Sequence, residues 1–133
     1  MVNGRQKGAA FERQICKMLA EEIGDLNWRR ELEQYRAGGH GDIICDDPDW
    51  PFVLELKRYK EGGVVPPTQW WFQAVFAAKE VGKLPALVYK YDRQPIMVQL
   101  HLATVMGNKD HDDDMLCQME WDEFMYLVRE MMA

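Results

Sequence analysis

Apolar residues near the start of the chain recur at every fourth position: Phe11, Ile15, Leu19 and Ile23, with Ala10 and Met18 beside them. That spacing predicts an amphipathic helix over 4–23, with Gly24 as its stop. Residues 27–36 read as a strand, and 36–41 (RAGGHG) as a glycine-rich loop. The period then shortens to two. Residues 42–46 (DIICD) and 52–59 (FVLELKRY) predict strands joined by Asp47-Pro48-Asp49-Trp50. Gly62 and Gly63 end the second of these, and Pro66-Pro67 lead into a helix from about Thr68 to Val81, stopped by Gly82. Residues 85–91 and 96–102 read as a hairpin around a DRQP turn. An acidic loop follows at 107–114. A helix over about 119–132 carries Trp121, Phe124, Met125, Val128 and Met131 on one side. With no internal repeat, the order is helix, three strands, helix, two strands, helix. It predicts a single mixed α/β domain over 1–133, with helices flanking a small sheet.

Composition narrows the class. Of 133 residues, 47% are apolar, enough for one core and too many for global disorder. No stretch reaches the roughly 18 uninterrupted apolar residues of a membrane helix, and the N-terminus lacks a secretory h-region. No membrane association and a cytoplasmic location are expected. Cys16, Cys45 and Cys117 are odd in number and far apart, which fits a reducing compartment and excludes a four-Cys zinc site.

The net charge of -6 seems to disfavour a polyanionic partner, but its distribution changes that. Residues 108–133 hold Lys109 and Arg129 against eight acids, so this tail accounts for the whole -6. The remainder is neutral, with surface available for a phosphate backbone.

The chemistry concentrates around residues 42–57. Alternation along a strand puts Glu55 and Lys57 on one face, and Leu54 and Leu56 on the other, toward the core. A same-face Glu and Lys on an otherwise apolar strand are costly unless they pair or bind something. In Asp47-Pro48-Asp49-Trp50, proline occupies the second position of a type I turn. If that four-residue turn closes the hairpin, counting outward from it sets Asp42 opposite Glu55. Directly opposed residues have Cβ atoms about 4.5–5.5 Å apart. Two carboxylates that close call for a cation between them or a proton on one. Asp42 and Glu55, with the Leu56 backbone carbonyl and water, form a hard-oxygen site suited to Mg²⁺ or Mn²⁺. Lys57 beside them can position water and stabilise charge on a phosphate. Glu12, on the polar flank of the first helix, can reach the site as an outer or second-metal ligand.

Gly41-Asp42, then Glu55-Leu56-Lys57, preceded by Glu12 in an N-terminal helix, resemble the PD-(D/E)xK nuclease superfamily. The element order over roughly residues 4–102 is similar to that superfamily's restriction-endonuclease-like core. The loop Arg36-Ala37-Gly38-Gly39 resembles archaeal-type and phage Holliday junction resolvases, with Gly38 and Gly39 where a serine often stands. Trp70-Trp71-Phe72-Gln73-Ala74, Gly82 and Pro85-Ala86-Leu87-Val88-Tyr89 are similar to small phage nucleases of that group. The resemblance implies that Asp42 and Glu55 bind metal, Lys57 is catalytic, Glu12 assists, and Gln73 is an accessory glutamine. Gln69, one turn earlier, competes for that last role. It also implies hydrolysis of branched DNA, a four-way junction above all, with 5′-phosphate ends.

The other signals divide between bland and functional readings. Arg29, Arg30 and Arg36 are solvated strand residues or phosphate contacts. With Gly38, Gly39, Arg58 and Lys60 they make up the candidate DNA-binding positions; Arg5 and Lys7 add to the dispersed cations. Trp70, Trp71, Phe72 and Phe76 surround too much of their helix for one core, which favours a homodimer interface. His111-Asp112 has no companion ligands and reads as acidic loop. His101 reads as structural and Cys16 as buried packing. Two rival functions stay open: a flap or general replication-repair nuclease of the same superfamily, and a non-catalytic DNA-binding assembly module. The intact Asp42, Glu55 and Lys57 set argues against the last.

Overall fold

In the computed structural model, residues 4–30, 42–107 and 114–133 are described. Helix α1 (Gly4–Glu22) is followed by strands β1 (Trp28–Arg30), β2 (Ile43–Cys45) and β3 (Phe52–Tyr59). Helix α2 (Thr68–Val81) connects β3 to β4 (Leu84–Tyr91). Then come β5 (Met97–His101), a single turn α3 (Leu102–Val105), β6 (Leu116–Glu120) and α4 (Trp121–Met132). The strands lie in one sheet in chain order, β1 to β6. All neighbours are antiparallel except β3 and β4, which run parallel across the α2 crossover.

The two sheet faces are covered differently. On one face α1 and α4 enclose the main core, where Phe11, Ile15, Leu19, Phe124 and Val128 meet Leu54, Leu56, Val88 and Leu100. Trp28, Trp50, Phe52 and Phe124 run through it as successive edge-to-face ring pairs. Arg129 of α4 bonds Glu22 at the end of α1. On the other face α2 lays Trp71, Ala74, Ala77 and Ala78 over Val53, Leu87, Tyr89 and Tyr91. The α2 C-terminus closes as its spacing predicts. Gly82 is left-handed at φ 68°, which costs glycine nothing, and the Lys83 N–H reaches back to the Ala78 carbonyl.

Several expectations need correction. The sequence pattern predicts two strands after α2, and the described residues form three, β4, β5 and β6. β6 is a short edge strand with Leu116, Gln118 and Glu120 facing outward, so it shows no apolar run against which to recognise it. The final helix consequently starts at Trp121 and not near 119. Glu120 and Glu123 cap its first turn reciprocally. The first helix ends at Glu22, ahead of Gly24, and the strand expected over 27–36 is described at Trp28–Arg30. Cys16 is half-buried against the core edge. The expected glycine loop, with Arg36, Gly38 and Gly39, and the His111-Asp112 pair lie outside the described residues. Among the described residues no helix is long and apolar enough to cross a membrane.

Candidate active site

The β2–β3 hairpin positions the site through its turn. The Trp50 N–H bonds the Asp47 carbonyl at 3.1 Å, and the Asp47 side chain accepts from the Asp49 N–H at 2.8 Å. This closed turn sets Ile43 opposite Leu54. Asp42, one residue earlier, donates its N–H to the Leu54 carbonyl at 2.9 Å. Its Oδ2 accepts from the Leu56 N–H at 2.6 Å, continuing the ladder with a side chain where β2 has ended. Since the N–H and C=O of one strand residue point to the same edge, the Leu56 carbonyl also faces the β2 side.

Asp42 and Glu55 are largely buried and hydrogen-bonded to each other. Burial pushes the Glu55 carboxyl up to about 8, and the negative Asp42 beside it adds to the rise. Burial likewise raises Asp42, to about 6, against the stabilising Leu56 N–H. The Lys57 ammonium lowers both, and the Glu12 carboxylate raises both. As a unit the pair therefore tends to keep a proton, because burial and the closeness of the two carboxyls both oppose a second negative charge. An all-oxygen pair that is buried and mutually repulsive matches the donor chemistry of a hard divalent cation. Among the described residues no group of three or more His, Cys, Asp and Glu side chains comes together as a metal cluster. Asp42 and Glu55 are a pair, with Glu12 acting on them through its charge.

The other expected site residues divide. Glu12 receives a hydrogen bond from Arg30 Nε at 3.3 Å, in a half-buried ion pair. Arg30 is thus engaged inside the fold, on the edge of α1 nearest the carboxylates. Arg29 pairs with Asp46 in the open at 3.1 Å. Arg58 has the opposite parity to Lys57 and turns to the α1 side. There Asp92 bridges it, at 2.6 Å, to Lys7 at 3.3 Å. Lys60 is exposed, as are Gln69 and Gln73 on α2. Neither glutamine is among the groups acting on the Asp42 and Glu55 carboxyls.

The sequence reading missed what stands on the next strand. In the parallel register Lys57 lies beside Tyr89, and Tyr59 beside Tyr91, on the same face of the sheet. Tyr59 stacks on Trp70 at 4.8 Å. Nothing local in the sequence sets that register, because the whole α2 crossover intervenes.

Comparison with known proteins bears on the fold and on the family. The structure of Hjc, a Holliday junction resolvase from the archaeal hyperthermophile Archaeoglobus fulgidus, superposes with a TM-score of 0.59. It is 14% identical and the match covers 92% of this chain and 98% of that one, which establishes a shared fold. No curated protein matches the sequence. A family model described as "Phage putative PDDEXK endonuclease" matches residues 3–130. Because that model spans nearly the whole chain, the chain belongs to that phage PDDEXK endonuclease family.

Proposed function

We propose that the protein is a divalent-metal-dependent endodeoxyribonuclease that hydrolyses phosphodiesters in branched DNA, with the four-way junction as preferred substrate. The observation that carries this reading is the buried Asp42–Glu55 pair with Lys57 on the same face. Asp42, Glu55 and the Leu56 carbonyl are the residues that would hold Mg²⁺ or Mn²⁺. When bound, such an ion supplies a Lewis acid beside the phosphate. Lys57 orients the attacking water and stabilises the charge developing on the phosphoryl oxygens. Water bonds to phosphorus as the 3′-oxygen leaves, so the product carries a 5′-phosphate. Glu12, anchored by Arg30, adjusts the field on the carboxylates.

Branch preference is supported by what the chain offers DNA. Its cations are dispersed, and exposed ones such as Arg29 and Lys60 contact phosphates without reading bases. Phe72 and Phe76, one turn apart on α2, are 65% and 61% exposed, and a second copy of the chain is proposed to cover them. A two-fold dimer would bring two sites to one junction and let modest contacts add. The three free cysteines suit action in a reducing cytoplasm. Cleavage of a four-way junction, a flap, linear duplex and single strands, with Mg²⁺ and with EDTA, tests the proposal. Preferential, Mg²⁺-dependent junction cutting is expected. Equal cutting of duplex would redirect the assignment to a general nuclease, and no cutting of any DNA would refute it.

A further inference from the structure

The face of β3 that carries Glu55 and Lys57 carries one more side chain, which phosphodiester hydrolysis leaves unexplained. Tyr59 follows Lys57 by two residues, so the pleat turns it to the same side, about 6.6 Å farther along the strand. One face of its ring lies on the Trp70 indole, with centroids 4.8 Å and planes 23° apart, a stacked geometry that aromatic pairs favour. Trp70 in turn lies 6.1 Å from Tyr91, and Tyr91 lies 6.0 Å from Tyr89, both buried. The backbone is pinned on both sides of the ring. Arg58 donates to the Tyr59 carbonyl at 2.6 Å, and the Asp92 N–H donates to the Lys60 carbonyl at 3.0 Å. The ring is thus held from behind, yet Tyr59 is 48% exposed, and among the described residues no second ring covers its outer face. Packing of α2 on the sheet accounts for the covered face only. At about 3.6 residues per turn, Phe72 and Phe76 project from the other side of α2 from Trp70, so the proposed subunit contact lies elsewhere.

We propose that the Tyr59–Trp70 stack is a platform for a base at the branch point, and that Tyr59 determines the preference for branched over linear DNA. In intact duplex both faces of each base pair are covered by its neighbours. At a branch point the strands part, and a base can present an open face at little unstacking cost. An open aromatic ring takes such a face whatever the base, because every base has a π-surface. The position of the ring fits a base of the cut strand. One step of extended sugar–phosphate backbone is close in length to the two-residue step from Lys57 to Tyr59. A phosphate at Asp42, Glu55 and Lys57 therefore brings the adjoining nucleotide to the ring. Lys60, exposed at the strand end, is at hand for a neighbouring phosphate. Since the ring is already held in place, little side-chain freedom is lost on contact. This inference rests on the nuclease reading of the Asp42–Glu55 pair, but its binding half is measured without cleavage.

The test follows the fluorescence anisotropy of a labelled four-way junction, and of linear duplex of equal length, at fixed salt in EDTA. Tyr59→Ala should weaken junction binding by the full-length protein about tenfold, the loss of one base stack, and change duplex binding by less than about twofold. Tyr59→Phe, which keeps the ring, should bind the junction as wild type does. Tyr59→Leu keeps apolar bulk over Trp70 without a flat ring and should match Tyr59→Ala; it decides the matter if the alanine lowers Tm. Abasic residues placed at each branch-flanking position in turn complete the cycle. At one position the missing base should cost wild type about tenfold and Tyr59→Ala nothing further. Equal junction affinity in wild type and Tyr59→Ala, equal weakening on junction and duplex, or no position at which the abasic loss depends on Tyr59 would overturn the platform. Cutting assays with Mg²⁺ keep this apart from the nuclease reading. Junction cutting by wild type, with binding indifferent to Tyr59, would remove the platform and leave the nuclease. No cutting of any DNA beside a Tyr59-dependent junction affinity would do the reverse.

Discussion

The two faces of the sheet do different work. Under α1 and α4 the side chains are almost wholly apolar and close-packed, with Leu54, Val88 and Leu100 fully buried. Under and beside α2 the sheet carries Asp42, Glu55 and Lys57, then tyrosines with unpaired hydroxyls. One strand serves both: along β3, Leu54 and Leu56 go into the core while Glu55 and Lys57 turn to the other side. A charge buried among polar neighbours costs stability that the opposite face must supply. Stability and chemistry are thus separated by the pleat of a strand, and the separation can be tested residue by residue.

Asp42→Asn and Glu55→Gln should have the largest effect on activity. Each removes an anionic oxygen without changing shape, so cleavage should vanish while the circular-dichroism melt is unchanged or moves upward. On the opposite face, Leu54→Ala should do the reverse. It opens a cavity in the core and should cost about 2–5 kcal/mol in chemical denaturation, with activity per folded molecule largely kept. If both substitutions lost activity and stability together, the division between faces would fail. Lys57→Ala should lower the rate at saturating metal by roughly 100- to 1000-fold, the usual effect of losing one charge-stabilising donor. Calorimetry should find metal affinity changed far less.

A smaller effect should appear in the pH dependence of stability. A carboxyl whose pKa is raised by folding binds more protons folded than unfolded between its two values. Metal-free protein should therefore lose stability as pH rises from about 4 toward 8, the Glu55 value. Thermal melts in EDTA should show the loss in wild type and a flatter profile in the Asp42→Asn/Glu55→Gln double variant. Mg²⁺ should restore more stability at pH 8 than at pH 6, because the proton and the cation compete for the same oxygens. The smallest change is expected from Phe72→Ser/Phe76→Ser, which should shift light scattering toward monomer with little change in Tm.

The sequence determined what is local in the chain. Fourfold spacing of Phe11, Ile15 and Leu19 defined α1, and Pro48 in a four-residue turn defined the antiparallel register that opposes Asp42 to Glu55. A short turn couples its flanking strands directly, so counting residues is enough. Tertiary structure alone decided what depends on distant segments. Arg30 and Arg58 have the composition of phosphate contacts, yet Glu12 and Asp92 claim them from elsewhere in the chain. β6 turns only Cys117 and Met119 to the core, too little to mark a strand by itself, and it pairs with the edge that β5 offers. Tyr89 comes to stand beside Lys57 through a parallel register, and no turn connects those strands to fix it. That register is set by how α2 packs back across both, through Ala74, Ala77 and Ala78 against Val53 and Leu87, a constraint that exists only once the helix and the sheet are in contact.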